Sequence, residues 1–383
     1  MKFTANAAGL AILALVSVTP AAHADIKVGI VVSASGPGSA LGQPQMKTVA
    51  ALPKEIAGEK VTYIVLDDES DPTKGTQNAR KLVLENGVDV LVGSSLTPVT
   101  MPMLDVALET KTPLLSLAAS TTIVQPLDEK RKWAFKVVPN DDLVARVIAK
   151  TIAKAGVKNL GYIGFSDGYG EGYYKELSRL APELGFTLTT HEVYARNDAS
   201  VTGQVLKIIA TKPDAVFIAA AGTPAVLPQK ALRERGYKGP IYQTHGVATE
   251  EFIKLGGADV EGAIFAGEAF TIAEELPAND PFRKATEEYV AAYQAANGQR
   301  PNLFGAHLWD VVALVSRAAP AALKAAKPGT PEFRAALRDA LESGKDVYLN
   351  NGLSNITPSD HNGYDERSAF LIKVDGGKFR PAK

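Results

Sequence analysis

The sequence has no cysteine among its 383 residues, so it can form neither a disulfide framework nor a thiolate metal site, and no lipid can be attached at a leader cysteine. It also lacks a basic excess. With a formal net charge of −1 and no basic run interleaved with aromatics, a surface that tracks phosphates is excluded, and no nucleic-acid partner is expected. The five histidines form no H-x-x-x-H or H-E-x-x-H pair, so no tight zinc site is expected. A P-loop ending in Lys-Ser/Thr is missing. Gly36-Pro37-Gly38-Ser39-Ala40-Leu41 starts like a dinucleotide fingerprint but has no third glycine, and Pro37 removes a donor from the turn, so no cofactor is expected. Beyond the N-terminus no apolar run is long enough to cross a membrane.

The N-terminus itself carries Lys2, an apolar run from Ala7 to Val18, Pro20, and the small-residue site Ala22-His23-Ala24. This pattern is expected to be a secretory signal peptide over residues 1–24, cleaved after Ala24, and it suits a periplasmic protein. At 46% hydrophobic composition the remainder is long enough for two domains with substantial cores.

From Ile26 a strand-helix rhythm begins. Strands are expected over Ile26–Val32, Val61–Leu66, Val88–Val92 and Pro113–Leu117, with helices over Pro72–Asn86 and after Pro98. A second series follows Trp133–Pro139: helices Asp141–Ala155, Tyr169–Leu184, Ser200–Ala210 and Pro224–Arg235, with strands Leu160–Phe165, Phe186–Val193, Ala215–Ala219 and Pro240–Gln243. Helices over Pro281–Ala296, Leu303–Ala321 and Pro331–Ser343 and a strand over Ala369–Val374 complete the chain. Alternation of this kind calls for parallel-rich sheets covered on both faces, hence an α/β protein of two sandwiches joined by short crossings.

Two junctions organise the rest. Val90–Thr97 and Pro113–Thr122 each run from a buried strand into small hydroxylated residues where the next helix should start. Helix N-termini present unpaired N–H groups and partial positive charge, so two side by side can seat a carboxylate without metal or arginine. The competing reading is that Ser94, Ser95, Thr97 and Ser120 only cap their helices.

Other motifs weigh less. Gly164-Phe165-Ser166-Asp167-Gly168 matches the G-x-S-x-G of a hydrolase elbow, with His307 or His361 and Asp310 as conceivable partners for Ser166. The pattern is short and no oxyanion segment accompanies it. Asp67-Asp68-Glu69-Ser70-Asp71 lacks calcium-loop spacing and reads as acids favoured before a helix. Aromatics at loop tips, Tyr169, Tyr173, Tyr174, Phe270, Phe304 and Trp309, could wall a small-ligand cleft, Tyr169 foremost because it directly follows a strand-end turn.

From about Asp25 onward the chain resembles the periplasmic substrate-binding proteins of branched-chain amino-acid-type ABC transporters. The resemblance rests on Ile26–Ile30 with Ser35-Gly36-Pro37, Asp67-Asp68 with Asp71-Pro72, Val92–Ser95, Ser116–Ser120 and Asp167–Gly172, in that order and spacing. It implies two Rossmann-like lobes joined by three hinge crossings, residues 25–140 plus 267–350 and residues 141–266 plus 351–383, closing on a ligand without chemistry. It also implies a membrane permease as partner and a monomer in solution. By the same resemblance Thr97, Ala118, Ala119 and Ser120 hold the ligand carboxylate with help from Ser95, Tyr169 closes over it, and Phe304 lines the cleft.

The departures set the ligand. Amino-acid binders of the family pair the ligand ammonium with an acid, and that position carries His245 here. A desolvated ammonium without a carboxylate partner is heavily penalised, leaving Glu268 as the conceivable substitute. Leu41 and Gly222-Thr223 stand where aromatics are often found, which reshapes the pocket. The expected ligand is therefore a small carboxylate without an α-ammonium group, an aromatic acid of the benzoate or hydroxycinnamate kind, with His245 donating to a ring hydroxyl or a second carboxylate. Branched-chain amino-acid binding, a sensory role for the same cleft, and a secreted esterase are the alternatives.

Overall fold

The computed structural model describes residues 25–382, so the expected signal peptide lies outside the described residues. The first sheet contains β1 (Ile26–Val32), β2 (Glu55–Ile56), β3 (Glu59–Asp67), β4 (Val90–Val92), β5 (Leu114–Ser116) and β6 (Ala134–Lys136) in the order β2-β3-β1-β4-β5-β6. All neighbours run parallel except the short β2-β3 hairpin. The second sheet is built from β7 (Asn159–Phe165), β8 (Thr187–Leu188), β9 (Glu192–Tyr194), β10 (Ala215–Ala219), β11 (Ile241–Gln243) and β12 (Ile264–Gly267). A small hairpin, β13 (Val347–Tyr348) with β14 (Leu353–Ser354), precedes β15 (Phe370–Val374) and β16 (Phe379–Pro381), which add antiparallel strands beyond β12.

Helices α1 (Ser39–Thr48), α2 (Pro72–Leu84) and α3 (Thr97–Thr110) belong to the first sheet, and α4 (Asp141–Lys154), α5 (Gly168–Leu184), α6 (Thr202–Ala210), α7 (Val226–Glu234) and α8 (Glu250–Gly256) follow in the second series. The last three are α9 (Pro281–Asn297), α10 (Leu303–Ala325) and α11 (Pro331–Leu341), and α10 packs on α1 and α11. Strand β1 shows why both faces are covered. Ile26, Val28, Ile30 and Val32 enter one apolar core that includes α10 residues such as Val311, while Val31 enters a second with Ala79 and Leu82 of α2.

The chain therefore passes between the two sheets three times: after β6, after β12, and between α11 and β15. The first and third passages are tied together. Asn362 Nδ2 donates to the Val138 carbonyl at 2.8 Å, its Oδ1 accepts from the Asn140 N–H at 3.1 Å, and the Tyr364 hydroxyl donates to the Val137 carbonyl at 2.9 Å. The second and third passages meet where the Phe270 N–H donates to the Asn350 carbonyl at 3.1 Å, and Asp310 of α10 accepts from the backbone and side-chain N–H groups of Asn350 and Asn351, at 2.6 to 3.2 Å. A buried carboxyl with four donors fixes the register of the crossing strands.

Candidate functional site

The carboxyl ends of both parallel sheets face a common narrow cavity. Ser95, Leu96 and Thr97 follow β4, and Leu117, Ala118 and Ala119 follow β5. From the other sheet, Tyr169 follows β7, Arg196 follows β9, Ala221 follows β10, and His245 and Gly246 follow β11. Leu41, Val138, Phe304 and His307 complete the lining. Ligands of open α/β sheets lie outside the carboxyl ends of strands, where loops replace the ladder and leave backbone groups available.

The β4 junction is rigid. Gly93 has φ +124°, and a Cβ there would lie 2.1 Å from the Val31 carbonyl oxygen, so this glycine permits close approach to β1 rather than to a ligand. The Ser94 hydroxyl donates to Asp68 at 2.6 Å, and Ser95 Oγ accepts from the Ser33 N–H at 3.0 Å and donates to Gln45 Oε1 at 2.5 Å. Neither serine caps α3, whose N-cap is Leu96 without a side-chain bond. Asp67 likewise accepts from the N–H groups of Ala34 and Glu69, each at 2.9 Å, and the acid that caps α2 is Asp71, which accepts from the Lys74 N–H at 2.7 Å. Thr97 differs from the serines. It is the first residue of α3, 2% exposed, and its hydroxyl has no partner among the described residues. Since the first N–H groups of a helix have no intrahelical acceptor, Thr97 presents a hydroxyl and a helix terminus to the same cavity.

Alanines 118 and 119 line the cavity, but part of their backbone is committed. The Ala118 N–H donates to Ser116 Oγ at 3.0 Å, and the Ala119 carbonyl accepts from the Asp141 N–H at 3.1 Å and from the buried Lys136 ammonium. Ser120 does not reach the lining; its hydroxyl is buried beside Thr122 Oγ1 at 2.9 Å. Thr223 is also off the lining, at the start of a short 3-10 turn, and the neighbouring Gly222 is filled against, since a Cβ there would meet Leu41 Cδ1 at 2.9 Å. Leu41 thus occupies the room that a small residue at 222 leaves.

On the opposite wall the Tyr169 hydroxyl donates to Thr244 Oγ1 at 2.7 Å, which holds the ring over the cleft. His245 Nδ1 lies 3.2 Å from the Tyr173 hydroxyl. His307, 1% exposed, has neither ring nitrogen partnered, and its ring meets Phe304 edge-to-face at 5.5 Å. Burial pulls both imidazoles down to about 3, so both are neutral near pH 7 and each carries one donor and one acceptor.

Glu268 stands apart from the lining. It is fully buried with both carboxyl oxygens unpartnered, and burial, with Asp310 adding to it, pushes it up to about 8. Without ligand, a carboxyl in that state holds its proton near pH 7, so pairing it with an ammonium would first require its ionisation. Among the described residues the cavity lining then holds no acid, and Arg196 is its one ionised side chain.

Sequence reasoning missed Arg196 and gave His307 only a hydrolytic role. Arg196 follows β9 just as Tyr169 follows β7, so the strand-end rule applied to every strand finds it. His307 is three residues after Phe304, and side chains at i and i+3 share a helix face. The hydrolase constellation is not assembled: Ser166 is exposed and makes no side-chain bond, while His361 Nδ1 pairs with the Ala134 carbonyl and Asp310 with the two asparagines.

The family profile described as a periplasmic binding protein matches residues 25–378. An extracellular ligand-binding receptor from Rhodopseudomonas palustris HaA2, of known crystal structure, is 72% identical with a TM-score of 0.93, covering 94% of this chain and 100% of that one. The Leu/Ile/Val-binding protein homolog 3 of Brucella melitensis biotype 1 is 24% identical over 96% of each chain. A solute-binding protein of an ABC transporter from R. palustris, crystallised in complex with benzoate, is 21% identical with a TM-score of 0.78 over 94% of this chain and 95% of that one, a likeness of fold. No described helix is long and apolar enough to cross a membrane. With two parallel-rich sheets crossed three times, a cavity at their facing strand ends and this profile over nearly the whole described length, the chain belongs to the periplasmic binding proteins.

Proposed function

We propose that this protein captures a small carboxylate without an α-ammonium group in the periplasm and delivers it to the membrane permease of an ABC importer. An aromatic acid such as a benzoate or a hydroxycinnamate fits best. The observation that carries this reading is the absence of any acid from the lining among the described residues, with a buried Glu268 that stands off it and that burial keeps protonated without ligand. An amino acid would bring a desolvated ammonium to neutral imidazoles and a guanidinium, at a cost of several kcal/mol. The α3 terminus and the Thr97 hydroxyl suit the carboxylate, Tyr169 and Phe304 flank an apolar body, and His307 and the Nε2 of His245 suit a ring hydroxyl.

Residues 25–140 plus 267–350 and residues 141–266 plus 351–383 are the two bodies that close, the mature chain starts at Asp25, and hinge closure makes occupancy visible to the permease. Branched-chain amino-acid binding draws support from the apolar wall of Leu41, Leu96, Leu117 and Val138, which would take an isobutyl group, but it leaves the ammonium without a partner. The protein performs no chemistry on its ligand, and Ser166→Ala is expected to leave binding unchanged. Thermal-shift screening tests the reading. A ligand at one hundred times its Kd stabilises by about 2.7 kcal/mol, so benzoate or 4-hydroxycinnamate should raise the midpoint while leucine and valine should not. Stabilisation by leucine or valine and by no aromatic acid overturns it.

A further inference from the structure

Arg196 is held more tightly than a solvent-facing arginine. Its Nε donates to Asp167 Oδ2 at 2.6 Å, its guanidinium carbon sits 4.0 Å from the centroid of the Phe165 ring and 5.8 Å from that of Tyr169, and the side chain is 12% exposed. Asp167 is itself fixed, since its Oδ1 accepts from the Tyr169 N–H at 2.8 Å as the N-cap of α5. Holding the guanidinium by Nε and by its face leaves the edge with the two terminal nitrogens, for which the described residues provide no acceptor. That edge belongs to a side chain on the cavity wall, and two parallel N–H groups match a carboxylate bidentately. Gly168, between Asp167 and Tyr169, comes within 3.4 Å of Thr97 Cγ2 when a Cβ is placed on it, so the loop that fixes Arg196 abuts the residue at the start of α3.

We propose that Arg196 is the specificity-determining residue by which the second sheet reads the anion, donating to the same carboxylate that Thr97 and the α3 terminus seat from the first sheet. One ligand anion then bridges both bodies, and closure is selective for an acid over its neutral analogue. The inference rests on the carboxylate reading above and goes beyond it, because the helix terminus alone would also seat an acid. Asp167 acts as a positioning residue. It takes one of the five guanidinium donors and leaves the remaining edge aimed at the cleft.

The test is isothermal titration calorimetry of the whole protein and of R196M with benzoate, benzamide, 4-hydroxycinnamate and 4-hydroxycinnamamide. Losing a charge-assisted bond should weaken the acids about tenfold to one hundredfold. The amides should weaken less than about threefold, since they have no charge for Arg196 to meet, so the acid-to-amide preference should fall by about tenfold, and R196K should recover part of it. A purely structural role for Arg196 would weaken acid and amide together and leave the preference unchanged. If R196M does not fold by circular dichroism, R196Q gives the same ratio. A preference within about twofold of the wild type in R196M or R196Q overturns the inference. Failure of the wild type to bind either acid instead overturns the carboxylate reading, so the two failures are distinguishable.

Discussion

Glu268→Gln offers a way to measure whether the buried carboxyl is charged. In the folded protein Glu268 keeps its proton up to about pH 8, whereas in the unfolded chain it loses it near 4.5. Between those values the folded state binds more protons than the unfolded state, so raising the pH lowers stability, by about 1.4 kcal/mol per unit for one group. Other buried groups shape the same curve. His245 and His307, pulled down to about 3 from 6.5, bind fewer protons folded than unfolded, so their contribution is present above 6.5 and is lost as pH falls towards 3. Asp310, pushed up to about 7 by burial, acts in the direction of Glu268. Histidines and acids oppose each other between 4.5 and 6.5, the acids prevail from 6.5 to 8, and above that the buried Lys136, pulled down to about 8, opposes them. From pH 6.5 to 8 the wild type should therefore lose about 2 kcal/mol that Glu268→Gln keeps, because glutamine has the same shape and no proton to release. Urea denaturation of both proteins at several pH values across this interval reads the difference directly. Parallel curves for wild type and variant would mean that Glu268 is already ionised, and the argument that the cavity has no partner for an ammonium would fall.

Two further substitutions probe the cavity itself. Thr97→Val removes a buried hydroxyl that has no partner among the described residues, so urea stability without ligand should change by less than about 1 kcal/mol, while affinity for benzoate measured by calorimetry should fall about tenfold. His307→Leu removes an imidazole with no bonds, so it should be neutral or stabilising in the unliganded protein. The same variant should weaken 4-hydroxycinnamate by about tenfold more than cinnamate, and equal weakening of the two would remove the hydroxyl-reading role from His307.

Long, strongly patterned elements were legible because burial and period agree in them. Residues 26–32 are apolar almost throughout, as a strand covered on both faces must be, and Ala215–Ala219 and the helix from Pro281 were readable to within a residue. The stretch Phe186–Val193 reads as one strand but forms two short ones, β8 and β9, both pairing β7 at different heights. Strand β12 and helix α8, four and seven residues long, are too short to show a period. The site was legible where a strand end announces it, as at Thr97, Tyr169 and His245. It was illegible where the chain's own hydrogen bonds decide the outcome. Ser120 and Ser95 have the right chemistry and position, but Thr122, Ser33 and Gln45 claim their hydroxyls. The charge state of Glu268 depends on how deeply the crossings bury it, which no local pattern records.

The most direct measurement is a crystal structure of the protein grown with whichever aromatic acid stabilises it most. The account predicts the carboxylate between the first turn of α3 and the β9 side of the cleft, with one oxygen within hydrogen-bonding distance of Thr97 Oγ1 and the ring between Tyr169 and Phe304. An acid bound outside this cavity, or seated with its carboxylate turned away from Thr97, would contradict it.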